Sequence, residues 1–147
     1  MFAEINLPKI LKLMKISYIF EILDKTQSDD IINEIGKIIE KYGIINVKSE
    51  YRRAIGNAMN HGSYPIKCSV YIGKKKRMIC VITDSGQGFD YKQMIKKYQA
   101  GEIYYKLHGY GTKCLAQNRY VQVDWEDEGK TIILYYNGNK YIKKSGL

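Results

Sequence analysis

Arg77-Met78-Ile79-Cys80-Val81-Ile82-Thr83-Asp84-Ser85-Gly86-Gln87-Gly88-Phe89-Asp90 decides how the chain is read. Its first seven residues are mostly apolar and rich in β-branched side chains, which suits a strand inside a sheet. Asp84 then stands at the strand's end, directly before two glycines. Lacking a Cβ, Gly86 and Gly88 permit positive φ angles and let a flat or anionic ligand approach the backbone. Taken alone the stretch fits an ordinary Asp/Gly turn as well as it fits the floor of a ligand site. The flanking sequence weighs between the two.

Upstream, residues 66–72 alternate between apolar Ile66, Cys68, Val70 and Ile72 and a second face of Lys67, Ser69 and Tyr71, the pattern of a half-buried strand. Gly73-Lys74-Lys75-Lys76 turns it back into the Asp84 strand, and the lysines read as a solvated hairpin tip. Before this hairpin a helix is expected over about 47–60, with Tyr51, Ala54, Ile55, Ala58 and Met59 facing the core. Arg53, Asn57 and His61 follow at i, i+4 and i+8 and line a neighbouring polar stripe. Such a stripe suits either a solvated face or one turned to a ligand, and Gly62 ends the helix. Further back, residues 15–22 have strand composition. Thr26 to Asp30 supply turn and capping residues for a helix carrying Ile31, Ile32, Ile35, Ile38 and Ile39 on one stripe. Residues 1–14 show no clean period and stand as a lead-in of unspecified structure.

Downstream, residues 91–98 suit a short helix, and residues 99–108 the cover of a site. Gly109-Tyr110-Gly111 precedes an expected helix over 112–117, whose free N–H groups and positive dipole end would suit phosphate. Residues 119–125 and 130–136 each alternate around Asp127-Glu128-Gly129, giving a final hairpin before a basic tail at 137–147. These elements imply an α/β (α+β) two-layer sandwich, a mostly antiparallel sheet with helices on one face, formed by residues 15–136 as one domain.

Composition narrows the function classes. The chain has 147 residues, 45% of them hydrophobic, enough for one real core. No apolar run approaches the ~18 residues of a membrane span, and the N-terminus lacks a leader pattern, so a cytoplasmic protein without membrane partners is expected. Cys68, Cys80 and Cys114 lack metal-ligand spacing and read as small core thiols. The net charge of +9 favours acidic or anionic partners. Yet 20 of the 24 basic residues are lysine, and base readout leans on the arginine fork, so nucleic acid is the weaker expectation.

Three separated motifs stand in order: Ala54-x-x-Asn57-Ala58-x-x-His61-Gly62, Asp84-x-Gly86-x-Gly88-Phe89, and Gly109-x-Gly111. Together they resemble the GHKL (Bergerat-type) ATP-binding fold, which takes in gyrase, heat-shock chaperones and histidine kinases, and within it most resemble the bacterial anti-sigma-factor serine/threonine kinases. The resemblance implies ATP and Mg²⁺ as cofactors. Asn57 would ligate the metal with its amide oxygen, a hard donor suited to that ion, with His61 in the same signature. Asp84 would accept the adenine amino hydrogen, Gly86, Gly88 and Phe89 would wall the base pocket, and Gly109 and Gly111 would admit the phosphates, with Lys106 and Lys113 as possible point charges. Thr131 would occupy the family's threonine position near the last strand, although Lys130 replaces the glycine before it. A sigma factor or its antagonist is the implied partner, and a homodimer the implied assembly.

One position departs from the family. Its helix signature begins with a glutamate acting as general base, and Arg53 stands there instead, a guanidinium that cannot accept a proton. Glu50 lies on a similar face, but about 10.5 Å along the helix axis from Asn57 against about 6 Å for position 53. The expected function is therefore an ATP-binding regulator with kinase activity in doubt. An active serine kinase or ATPase using another base, and a basic nucleic-acid-binding module, are the alternatives.

Overall fold

The computed structural model describes residues 1–101 and 114–138. Five strands form one antiparallel sheet in the order β1-β2-β3-β5-β4, with β1 at Met14–Ile22, β2 at Ile66–Gly73, β3 at Arg77–Thr83, β4 at Val121–Glu126 and β5 at Thr131–Asn137. Every strand expected from alternation is present, so the class is α+β. The central pair explains why the β3 segment reads as nearly continuous apolar sequence: strands covered on both faces lose the in/out alternation. Met78, Cys80 and Ile82 of β3 enter the main core with Cys68, Val70, Leu134 and Tyr136. The intervening Ile79 packs with Ile133 and Tyr135 in a second, smaller cluster, with Val81 against it.

Among the described residues the sheet is accompanied by α1 at Leu7–Leu11, α2 at Ser28–Lys41, α3 at Glu50–His61 and α4 at Tyr91–Gln99. Residues 114–117 are also helical. Ile35 and Ile38 of α2, Tyr51, Ala54, Ile55 and Ala58 of α3, and Met94 of α4 are buried in the main core. The expected apolar stripes thus supply the layer on that face. Asp90 caps α4, its carboxylate accepting from Gln93 N–H at 3.1 Å, a common way of satisfying an orphan donor at a helix start.

The N-terminal segment is more organised than its irregular pattern suggests. Asn6 accepts from Lys9 N–H at 3.2 Å and Pro8 sits in the first turn of α1, so a cap and an N-terminal proline were the available signals. Ile5 is buried in the second cluster, and Leu7, Ile10 and Leu11 pack against it, covering part of the sheet face opposite the main helices. Phe2 forms a parallel bridge with Val123. Ala3 N–H donates to Val123 O at 3.1 Å and Val123 N–H to Met1 O at 2.8 Å, so β4 has a partner along its outer edge. These contacts join positions about 120 residues apart, which local periodicity does not register.

The cysteines behave as core thiols. Cys68 and Cys80 are buried and Cys114 is half-buried, all three free. Burial pushes the Cys68 thiol up to about 12 and raises that of Cys80 as well, which keeps both neutral and unreactive. Among the described residues, no helix is long and apolar enough to cross a membrane.

Candidate functional site

The end of β3 is held in place by two crossings of backbone. Asp84 N–H donates to Lys130 O at 3.0 Å, Ser85 N–H to Ser63 O at 3.0 Å, and Phe89 N–H to Glu128 O at 3.0 Å. Ser85 Oγ donates to Pro65 O at 2.8 Å. The loop at 84–89 is therefore tied on one side to the segment following α3 and on the other to the β4–β5 turn. That turn carries Asp127, Glu128 and Gly129 at φ of 51°, 56° and 88°.

The glycines serve these close approaches. Gly88 has φ 76°, and a Cβ there would lie 2.1 Å from Glu128 O. Gly129 is its counterpart, with a Cβ position 2.5 Å from Phe89 O. Two glycines thus let two backbones pass in contact, a role that no side-chain-bearing residue fills. Gly86 differs from the expectation: its φ is not positive. Space restricts it instead, because a Cβ would lie 2.9 Å from Asp84 Oδ1 and 3.1 Å from the Gly62 Cα. Gly62 in turn lies flat against the Asp84 carboxyl group, its Cβ position being 2.3 Å from Cγ.

These contacts orient Asp84. Its Oδ1 accepts from Gly86 N–H at 2.7 Å, an Asx-type bond that fixes the side chain over its own loop. Among the described residues Oδ2 has no hydrogen-bond partner. Asp84 is half-buried and faces a cleft lined also by Asn57 and His61 of α3, Gly62, Gly88, Phe89, Met94, Trp125 and Lys130. The cleft encloses about 60 Å³, room for a few waters or one edge of a flat ring, so a larger ligand would extend into its mouth. Its floor is aromatic: Trp125 stacks on Tyr91 at a centroid distance of 5.9 Å and meets Phe89 edge-on at 6.0 Å.

The residues singled out from sequence divide into four groups. Asn57, His61, Asp84, Gly88 and Phe89 are brought together in the cleft, although the first two belong to a helix and the others to a loop more than twenty residues later. Gly86 packs behind Asp84, and Thr131 sits one layer away, 7% exposed, its hydroxyl 2.9 Å from that of Thr83. Neither lines the cleft, and neither does Arg53. Gly109 and Gly111, with Lys106, Lys113 and the greater part of the expected cover, lie outside the described residues, as does the tail beyond Gly138.

Glu50 is placed elsewhere. It is 2% exposed, and its Oε1 accepts from Asn118 Nδ2 at 2.6 Å, Tyr136 OH at 2.9 Å and Lys48 N–H at 3.2 Å. Asn118 also donates to Asn46 O at 2.8 Å. Burial first, and the neighbouring carboxylate with it, hold the Tyr136 hydroxyl well above the ordinary range for a phenol, so it stays protonated and donating. Glu50 is thus a bolt between the start of α3, the end of β5 and the segment before β4, committed away from the cleft rather than poised as a base. Sequence reasoning missed Trp125, Met94 and Lys130 as cleft residues; the first two read as ordinary apolar positions of a strand and a helix. Comparisons of the chain with protein-family models, with curated proteins and with solved structures found no match.

Proposed function

We propose that the chain is a GHKL-type adenine-nucleotide-binding regulator whose ligand enters the cleft beside Asp84. The observation carrying this reading is convergence: the helix motif Asn57-x-x-x-His61-Gly62 and the loop motif Asp84-x-x-x-Gly88-Phe89 meet in one cleft, which neither motif requires on its own. Asp84 supports it through its geometry. With Oδ1 engaged by its own loop, Oδ2 is the acceptor left for an exocyclic amino group, while the aromatic and aliphatic floor suits the edge of a purine.

Asn57 fits a metal role of limited scope. Its amide oxygen is a hard donor at the cleft wall, but among the described residues no three His, Cys, Asp or Glu side chains gather to hold an ion. A magnesium ion would therefore arrive with phosphate oxygens and water as most of its ligands. The absence of a carboxylate at position 53, with Glu50 buried in its own network, argues for binding and slow turnover rather than efficient transfer. Regulation of a protein partner, a sigma factor or its antagonist in the GHKL reading, is the corresponding role.

Calorimetric titration with ATP tests this, with Mg²⁺ and with chelator. The wild-type protein should bind in both conditions and more tightly with Mg²⁺. Asn57→Ala should lose about 1–2 kcal/mol in Mg²⁺ and match wild type in chelator. Absence of heat with any adenine nucleotide, alongside steeply salt-dependent nucleic-acid binding, would replace the proposal with the nucleic-acid reading.

A further inference from the structure

The two ends of the sheet differ in charge. The cleft lies where β3 ends, and there cations are interspersed with carboxylates: Lys67 stands opposite Glu21, Lys25 follows Asp24, and Lys130 comes shortly after Asp127 and Glu128. The other end is defined by the pairing of Met14 with Gly73 and of Arg77 with Asn137. It gathers Lys12 and Lys15 from either side of the start of β1, Lys74, Lys75 and Lys76 from the β2–β3 hairpin, and Lys41 from the end of α2. Gly43 brings α2 there, its Cβ position lying 3.7 Å from Lys76 Cε. All six lysines are exposed. Among the described residues none of them is within ion-pair distance of a carboxylate, although Glu40 adjoins Lys41 in sequence.

Two further features mark this end. Leu13 is 45% exposed, Ile16 42% and Ile45 67%, so aliphatic side chains stand among the lysines. The Leu13 carbonyl oxygen lies 2.7 Å from the Cβ position of Gly73, Ile16 pairs with Ile72, and Ile45 follows Gly43 by two residues. The hairpin tip, moreover, is built against local preference. Arg77 N–H donates to Lys74 O at 3.3 Å, and the two residues between them, Lys75 and Lys76, both stand at φ 58°, a turn ordinarily made by Asn-Gly. Side chains in that conformation are strained. The turn therefore carries charge where folding alone would favour a glycine.

We propose that this end binds the surface of an anionic lipid bilayer, the lysines meeting headgroups while Leu13, Ile16 and Ile45 enter the boundary of the acyl chains. A nucleic-acid backbone would satisfy the lysines and leave the three aliphatic side chains in water. Lysine stems lie along apolar surface while their ammonium groups reach outward, and flexible point charges suit headgroups that move, whereas a partner of fixed shape is matched better by the arginine fork. The sheet then stands with its cleft end away from the bilayer. A membrane partner was not expected for want of an apolar span, and attachment to the surface needs none. The inference is independent of what occupies the cleft, and its test is run without nucleotide.

Vesicles of phosphatidylserine mixed with phosphatidylcholine should carry the full chain in a flotation assay, vesicles of phosphatidylcholine alone should not, and raised salt should release it. The double substitution Lys75→Asn with Lys76→Gly removes two charges and installs the residues the turn prefers. Affinity for the anionic vesicles should fall at least about tenfold while the melting temperature rises, so loss of binding cannot be loss of fold. Ile45→Asn, at an exposed position, should weaken vesicle binding about threefold or more and leave any binding of duplex DNA unchanged. Equal binding to neutral vesicles, or indifference to the double substitution, would overturn the proposal. An Ile45→Asn variant that binds vesicles as wild type does, with duplex DNA bound equally well, would overturn it in favour of a general polyanion site.

Discussion

Gly88→Ala is expected to destabilise the fold by about 3–5 kcal/mol, the range reserved for changes that break a specific structural device. Two costs combine. At φ 76° an alanine is strained whatever surrounds it, and its Cβ would sit 2.1 Å from the carbonyl oxygen of Glu128. That oxygen also accepts the Phe89 N–H bond at 3.0 Å, so relief by movement breaks the clasp between the loop at 84–89 and the β4–β5 turn. Gly56→Ala is the matched control: it lies inside α3, nothing stands within 4 Å of its Cβ position, and the substitution should stabilise by about 0.5–1 kcal/mol. Urea unfolding midpoints of the two variants should therefore move in opposite directions.

Glu50→Ala should cost a similar amount, about 3–5 kcal/mol, for a different reason. Three donors converge on one carboxylate oxygen, and deletion strands the Tyr136 hydroxyl and one N–H of the Asn118 amide, whose other bond goes to Asn46 O. Unmet buried donors cost about 1–3 kcal/mol each. Glu50→Gln keeps an acceptor oxygen and should lose less than half as much. A general-base role would give the opposite ranking of readouts, with catalysis lost and stability retained, so thermal unfolding of both variants separates bolt from base.

Much of the fold is legible in local pattern because its core is built from periodic elements. The alternation of residues 66–72 and the isoleucine stripe of α2 each bury the side chains their spacing indicates. The even apolarity of residues 77–83 correctly reads as a strand within the sheet, and it arises because α1 and its flanking residues cover the second face. That cover itself was illegible: a five-residue helix has too few turns to show a period, and the bridge of Phe2 to Val123 is wholly non-local.

The site shows the same division. Asn57 and Asp84 stand in motifs that the sequence singles out, and the two residues share a cleft. Gly129 was visible only as a turn residue, since its necessity arises from the backbone of Phe89 passing across it. Trp125 looked like any strand aromatic. Its membership of the cleft follows from the β4–β5 turn being drawn over the end of β3, a tertiary event that neither hairpin encodes alone. Glu50 drew notice in the sequence only as a distant substitute for the base missing at position 53, and its actual partners, Tyr136 and Asn118, lie 86 and 68 residues away.

Trp125 also supplies the most direct test of the nucleotide reading, because it is the only tryptophan in the chain and lines the cleft. Titrating ATP while following its fluorescence reports entry into that cleft and no other place. The account predicts a saturable change in wild type, displaced to weaker affinity by about 1–3 kcal/mol in Asp84→Asn, where an amide replaces the carboxylate proposed to receive the adenine amino group. A fluorescence that ignores ATP, or an affinity that Asp84→Asn leaves unchanged, would contradict it.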